Sequence, residues 1–295
     1  MRVPHLFIIL TAAILVLLPA RYIHAQSDTI KQAREAVTEN VTEAARAEAT
    51  RAPEAERFAT KRAALESILS LSKLEAEELQ AKLTALLLNN EIEKVQALRT
   101  KFAAALDSYL AYLKNADDTL ATTPELTAIE NIAGDLQEWK ETIYNPEMQK
   151  ILDFTLAFQN RQMLLVGDAR LTRVATEIKR AKLSREKAVA AKLLLNAASN
   201  HLKTAHALNE DAITAVRAYL APNENRNTDA IQEDALLPTP ETTPLTTPSV
   251  ENDKNSLILP APTPRELVTN SVKEIRATYE NFLKIAELLN KKTGK

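Results

Sequence analysis

Four histidines, three glycines and no cysteine bound the chemistry open to this chain. His5 and His24 lie in the first 25 residues, which leaves His201 and His206 for a folded site. These two are five apart, about 140° around a helix, so they cannot hold one ion jointly from one helix. His206 and Glu210 are four apart and share a helix face, but no third ligand lies near them in sequence. A solvated or capping role is expected for these groups, and no metal site is assigned. Acid–base chemistry needs paired carboxylates in a cleft. The acidic runs here, Glu75, Glu77 and Glu78, and Asp117 and Asp118, fall on polar helix faces and are read as solvated surface. Gly134, Gly167 and Gly294 cannot build a phosphate-cradling loop. No Gly-x-Ser-x-Gly elbow occurs, and the serines lie apart from the histidines. The lack of cysteine excludes disulfides, thiol catalysis and thiolate-bound metal. No catalytic, cofactor-binding or metal-binding residue is therefore named, and the expectation is a protein that is not an enzyme.

The remaining chemistry is that of contact. Lys179, Arg180, Lys182, Arg185 and Lys187 are interleaved with Ala, Leu and Glu, as on the polar face of a helix. The net charge is −2 over the chain, and no basic domain suggests nucleic acid. Phe102, Tyr109, Tyr112, Phe154 and Phe158 recur at helical spacings and are expected to pack between helices; a groove for a partner helix or an unfolded client is the sharper alternative. Asn40-Val-Thr42 matches a glycosylation acceptor, a pattern common by chance.

The elements that must position these groups are helices. Ala is abundant, Gly nearly absent and aromatics only 4%, a mixture that favours helix and starves sheets of turns and pleat-filling side chains. The expected fold is all-α: an elongated multi-helix bundle with coiled-coil-like seams.

The N-terminus reads as an export signal over residues 1–25. Arg2 precedes an apolar run from Leu6 to Leu18, Pro19 breaks it, and Ala25 offers a cleavage position. The run is shorter than the roughly 20 residues a spanning helix needs, and an uncleaved N-terminal anchor is the rival reading. The expected location is exported, secreted or extracytoplasmic, with membrane contact only through this segment if it is retained. Processing at Ala25 removes Arg2 and Arg21 and no acid.

Proline maps the rest. Seven of the 13 prolines lie between Pro238 and Pro264, and none lies between Pro53 and Pro124 or between Pro146 and Pro222. Proline inside a helix costs about 3 kcal/mol, so the two gaps are where long helices run. Residues 26–52 form a weakly amphipathic helix, with Ile30, Ala33, Val37, Val41 and Ala44 on one face. Residues 53–221 form the main bundle. Leu65, Leu69, Ser72, Ala76, Leu79, Leu83 and Leu86 make a heptad seam, and Val95, Leu98, Phe102, Leu106, Tyr109, Leu113, Ala116 and Leu120 make another. Asn89-Asn90 reads as a hairpin turn or a stagger within one helix, and a continuous helix is favoured because no Gly or Pro accompanies the pair. Thr122 and Glu125 have capping-box spacing, and Leu126, Ile129, Ala133, Leu136 and Ile143 form the next face. Asn145 and Pro146 suggest another start. Gly167-Asp168 is the expected kink in the stretch to Ala221.

Residues 222–264 read as a disordered Pro/Thr-rich linker, and 265–295 as a C-terminal amphipathic helix. Its stripe runs through Val268, Val272, Ile275, Tyr279, Phe282, Ala286 and Leu289. A lone helix of that length is marginal in water, so it needs its own bundle or another chain. The leading reading is an exported non-enzymatic scaffold or interaction protein of the envelope or surface. Its partner is another protein, or itself through the helix seams. A chaperone-like or ligand-binding bundle is the alternative, and a membrane-active helical protein a third.

Overall fold

The computed structural model describes residues 28–86, 93–220 and 261–290. The expected signal at 1–25, the Asn89-Asn90 pair and most of the expected linker lie outside the described residues. All described elements are helical: α1 (Asp28–Ala49), α2 (Glu54–Thr84), α3 (Glu93–Thr122), α4 (Leu126–Trp139), a π-turn (Lys140–Tyr144), α5 (Asn145–Arg180), α6 (Arg185–Arg217), a 3₁₀ turn (Ala218–Leu220) and α7 (Pro264–Asn290).

The first three helices form two antiparallel hairpins. Glu48 meets Lys61 and Arg34 meets Glu75 across α1 and α2. Gln80 meets Asp107 and Arg62 reaches the Ala121 carbonyl across α2 and α3. The expected continuous helix through Asn89-Asn90 is therefore wrong: α2 ends at Thr84 and α3 returns beside it. Each apolar seam leaves water when the other faces it, so folding back satisfies both; both seams are buried as expected, apart from a half-buried Ala116. The α1 stripe also packs, with Ile30, Val37, Val41 and Ala44 buried against α2.

A tight turn joins α1 to α2. The Ala52 N–H bonds the Ala47 carbonyl and the Arg51 N–H bonds that of Glu48, a Schellman closure. Arg51 takes φ 53°, the left-handed position where glycine is usual.

Three boundary expectations are corrected. Thr122 ends α3 rather than capping α4; its hydroxyl bonds the carbonyls of Asp118 and Thr119, and Glu125 is the extended residue before α4. Asn145-Pro146 starts no new helix. A regular α-turn would set the Pro146 ring against the Thr142 carbonyl and leave a bond unmade. The π-turn widens the helix there, and the Asn145 N–H reaches back to the Lys140 carbonyl. Residues 126–180 thus form one rod, roughly 80 Å long at 1.5 Å per residue. The extra residue rotates the face by about 100°: Tyr144 turns inward, while Ile143, expected inside, is 47% exposed. Finally, Gly167 does not kink α5. A Cβ there would stand 3.0 Å from Leu202 Cδ1, so the missing side chain permits close approach of α6. The chain turns instead at Ala181–Ser184, where Ser184 Oγ accepts from the Lys187 N–H.

The rod serves two sections. Its N-terminal half packs with α1–α3 and the end of α6 into the largest core cluster. Its C-terminal half, with α6 and α7, builds two smaller clusters around Leu164, Leu202 and Ile275, and around Ala198, Phe282 and Ile285. The C-terminal helix therefore packs within its own bundle.

Candidate functional site

The residues singled out for chemistry are dispersed. His201 Nδ1 lies 2.7 Å from Glu274 of α7, and His206 Nε2 lies 3.0 Å from Asp168 of α5. Glu210 is exposed and does not join His206. Glu75 pairs with Arg34 at 2.8 Å, Glu78 with Lys82, and Asp118 with Lys114. Among the described residues, no three metal-capable side chains converge. The aromatics pack between helices as expected. Phe102 meets Phe154 edge-on at 5.5 Å, and Tyr112 stacks on Trp139 at 4.1 Å.

Three buried polar centres stand instead where sequence reasoning named nothing. The first is the π-turn. Lys140 Nζ donates to Ser72 Oγ (2.6 Å), and the Tyr144 hydroxyl donates to the Ser72 carbonyl (2.9 Å). Lys140 also lies 5.3 Å above the Tyr144 ring, beside Trp139 and Tyr109. Burial pushes the Lys140 amine below the ordinary lysine range, and the Glu75 charge only partly restores it. Burial, then the same carboxylate, pushes Tyr144 well above the ordinary phenol range. An amine beside a hydroxyl can serve as a base for a nucleophile. Here, however, Ser72 is fully buried and its hydroxyl hydrogen is committed to the Ile68 carbonyl. Lys140 is the donor in this pair, and the arrangement fixes the π-turn against α2.

The second centre is Asp153, buried on α5. Its Oδ1 accepts from Arg265 Nε (3.2 Å) and Nη2 (3.0 Å), and its Oδ2 from the Tyr219 hydroxyl (3.2 Å). Burial pushes the carboxyl upward, outweighing the pull of Arg265 and the Tyr219 bond. Tyr219 is pushed up to about 12 by burial and by Asp153. One carboxylate thus holds the end of the α6 segment and the start of α7.

The third is an amide node. Asn160 Nδ2 donates to Asn209 Oδ1 (2.7 Å) and to Ser271 Oγ (2.8 Å), and Ser271 donates to the Ala205 carbonyl (2.7 Å). It joins α5, α6 and α7 inside the second section. Asn209 was legible as a polar layer that fixes register. Asp153 and Asn160 were not, since the stretch from Ile151 to Leu164 also carries Thr155, Gln159, Arg161 and Gln162 and does not single them out.

No protein family, no curated protein and no solved structure matches this chain. All three centres tie one helix to another, and the second and third together define the cleft between α5 and α6 that receives α7. The α7 seam differs from the expected stripe for this reason. Ser271, Thr278 and Ile285 are buried, whereas Val272 is turned outward. Ser271 donates to the Ala205 carbonyl, and Thr278, seven residues on, donates to its own helix at the Glu274 carbonyl (3.0 Å) with its hydroxyl 3.4 Å from the Ala198 carbonyl, seven residues from Ala205. Small residues on both sides let the helices approach closely, which a search for large apolar residues overlooks.

Proposed function

We propose that this chain is an exported, non-enzymatic helical scaffold or interaction protein of the cell envelope or surface. It would act by binding another protein or itself through helix seams. One observation supports contact as the function: seven of the eight large apolar side chains exposed among the described residues lie on α5, α6 and α7. Leu165 is 62% and Leu193 65% exposed, on α5 and α6. An interaction surface needs such groups on accessible helix faces, and Met163, Leu165 and Val166 of α5 and Val189 and Leu193 of α6 supply them. The export component is supported by the N-terminal charge, apolar run and break; no described helix is long and apolar enough to cross a membrane.

The test is to locate the chain by cell fractionation and then immobilise wild type and the L165E/L193E variant against an envelope extract. A defined component retained by wild type and lost by the variant is expected. Recovery of the chain in the cytoplasm, or identical retention by both proteins, contradicts the proposal. The chaperone-like reading draws on the same side chains. It predicts suppression of aggregation of an unfolded test protein, which a scaffold does not require.

A further inference from the structure

We propose that the α5–α6 cleft holds α7 exchangeably, and that its alternative occupant is the α7 of a second copy of this chain. This deepens the interaction reading given above by naming the site and the partner. Helix α7 packs chiefly against α6 and α5, and side chains set its position at every polar contact. Arg265 reaches Asp153, Glu274 meets His201, Ser271 donates to the Ala205 carbonyl, and Thr278 packs with its hydroxyl 3.4 Å from the Ala198 carbonyl. Polar side-chain contacts at separate points along the cleft fix the direction of the helix, and the Ser271 hydroxyl fixes its register. An α7 supplied by a second copy would find the same code.

Two further features favour release and re-entry. Among the described residues, the amide node leaves Asn160 Oδ1 and Asn209 Nδ2 without hydrogen-bond partners, so this seam is weaker than an apolar one of the same size. Residues 221–263 separate α7 from the rest of the chain, while Tyr219 and Arg265 meet on one carboxylate. The chain length between Tyr219 and Arg265, up to roughly 140 Å if fully extended, is enough to connect α7 to a neighbouring molecule.

The absence of cysteine makes the test clean. Full-length H201C and E274C chains are mixed at high concentration, diluted and treated with a short bis-maleimide. Neither chain alone can link its own cleft to its own helix. Exchange predicts heterodimer several-fold above an H201C plus K284C control, because Lys284 lies on the exposed side of α7. The H201C/E274C double variant should link within one chain. Heterodimer no higher than the control, alongside that internal link, overturns the proposal; so does absence of the internal link. Neither result depends on whether envelope components are retained.

Discussion

Replacing Asp153 with alanine should destabilise this protein more than any other single polar substitution described. The carboxylate is buried and accepts two bonds from Arg265 and one from Tyr219. Bonds to charged groups contribute roughly 1.5–3 kcal/mol each, but desolvating both ions costs several kcal/mol apiece. The upward displacement of the carboxyl indicates that burial outweighs the attraction. The pair as a whole should therefore contribute little net stability. Removing one member is different, because it leaves Arg265 charged and largely buried, at a cost of about 3–5 kcal/mol. For a chain of this size that corresponds to roughly 6–20 °C in Tm. The assay is urea unfolding followed by helical circular dichroism, on wild type, D153A, R265M and D153L/R265M. D153A should lose about 3–5 kcal/mol, while the double variant should stay within about 1 kcal/mol of wild type. A D153A loss below about 1 kcal/mol, or a double variant as weak as D153A, would refute the reasoning.

Other substitutions test separate links. R51G should stabilise by up to about 1 kcal/mol in the same assay, since glycine relieves the left-handed position, less its greater freedom in the unfolded chain. A198L should cost about 1–3 kcal/mol by overpacking the approach of Thr278, and α7 should then be cleaved faster by protease than in wild type. The Lys140 amine is held below its ordinary value, so the unfolded chain binds that proton more tightly. Stability should accordingly rise with pH up to about 10.5, and K140M should flatten that rise. Tyr219 behaves oppositely: its folded phenol is raised, so its contribution is present below pH 10 and lost as pH climbs through about 12. Y219F should remove that step from the tyrosinate absorbance titration.

Helical content and the leucine seams of α2 and α3 could be read from the residues because both depend on local periodicity. The heptads from Leu65 to Leu86 and from Val95 to Leu120 are the buried faces of a hairpin. What periodicity could not give was direction: a seam reads alike whether the chain continues or folds back at Asn89-Asn90. The π-turn was hidden because Pro146 admits two solutions, a new helix or a widened one. Contacts of Tyr144 and Lys140 with Ser72, distant in sequence, favour the second. The α7 seam was misplaced by one position at Val272 because the determining residues, Ser271 and Thr278, are small and polar. Their partners are alanine layers of another helix, visible only once α6 lies opposite. Asp153 was overlooked for the same reason: its meaning comes from Arg265 and Tyr219.

Helix α7 is held in the α5–α6 cleft by the amide node and the Asp153 contacts. Hydrogen exchange followed by mass spectrometry on the full chain measures this directly. Peptides covering Asn160, Ala205 and Ser271 should share one protection level in wild type and lose it together in D153A. An α7 peptide exchanging at the rate of an unprotected helix in wild type, while α5 and α6 stay protected, would contradict the account.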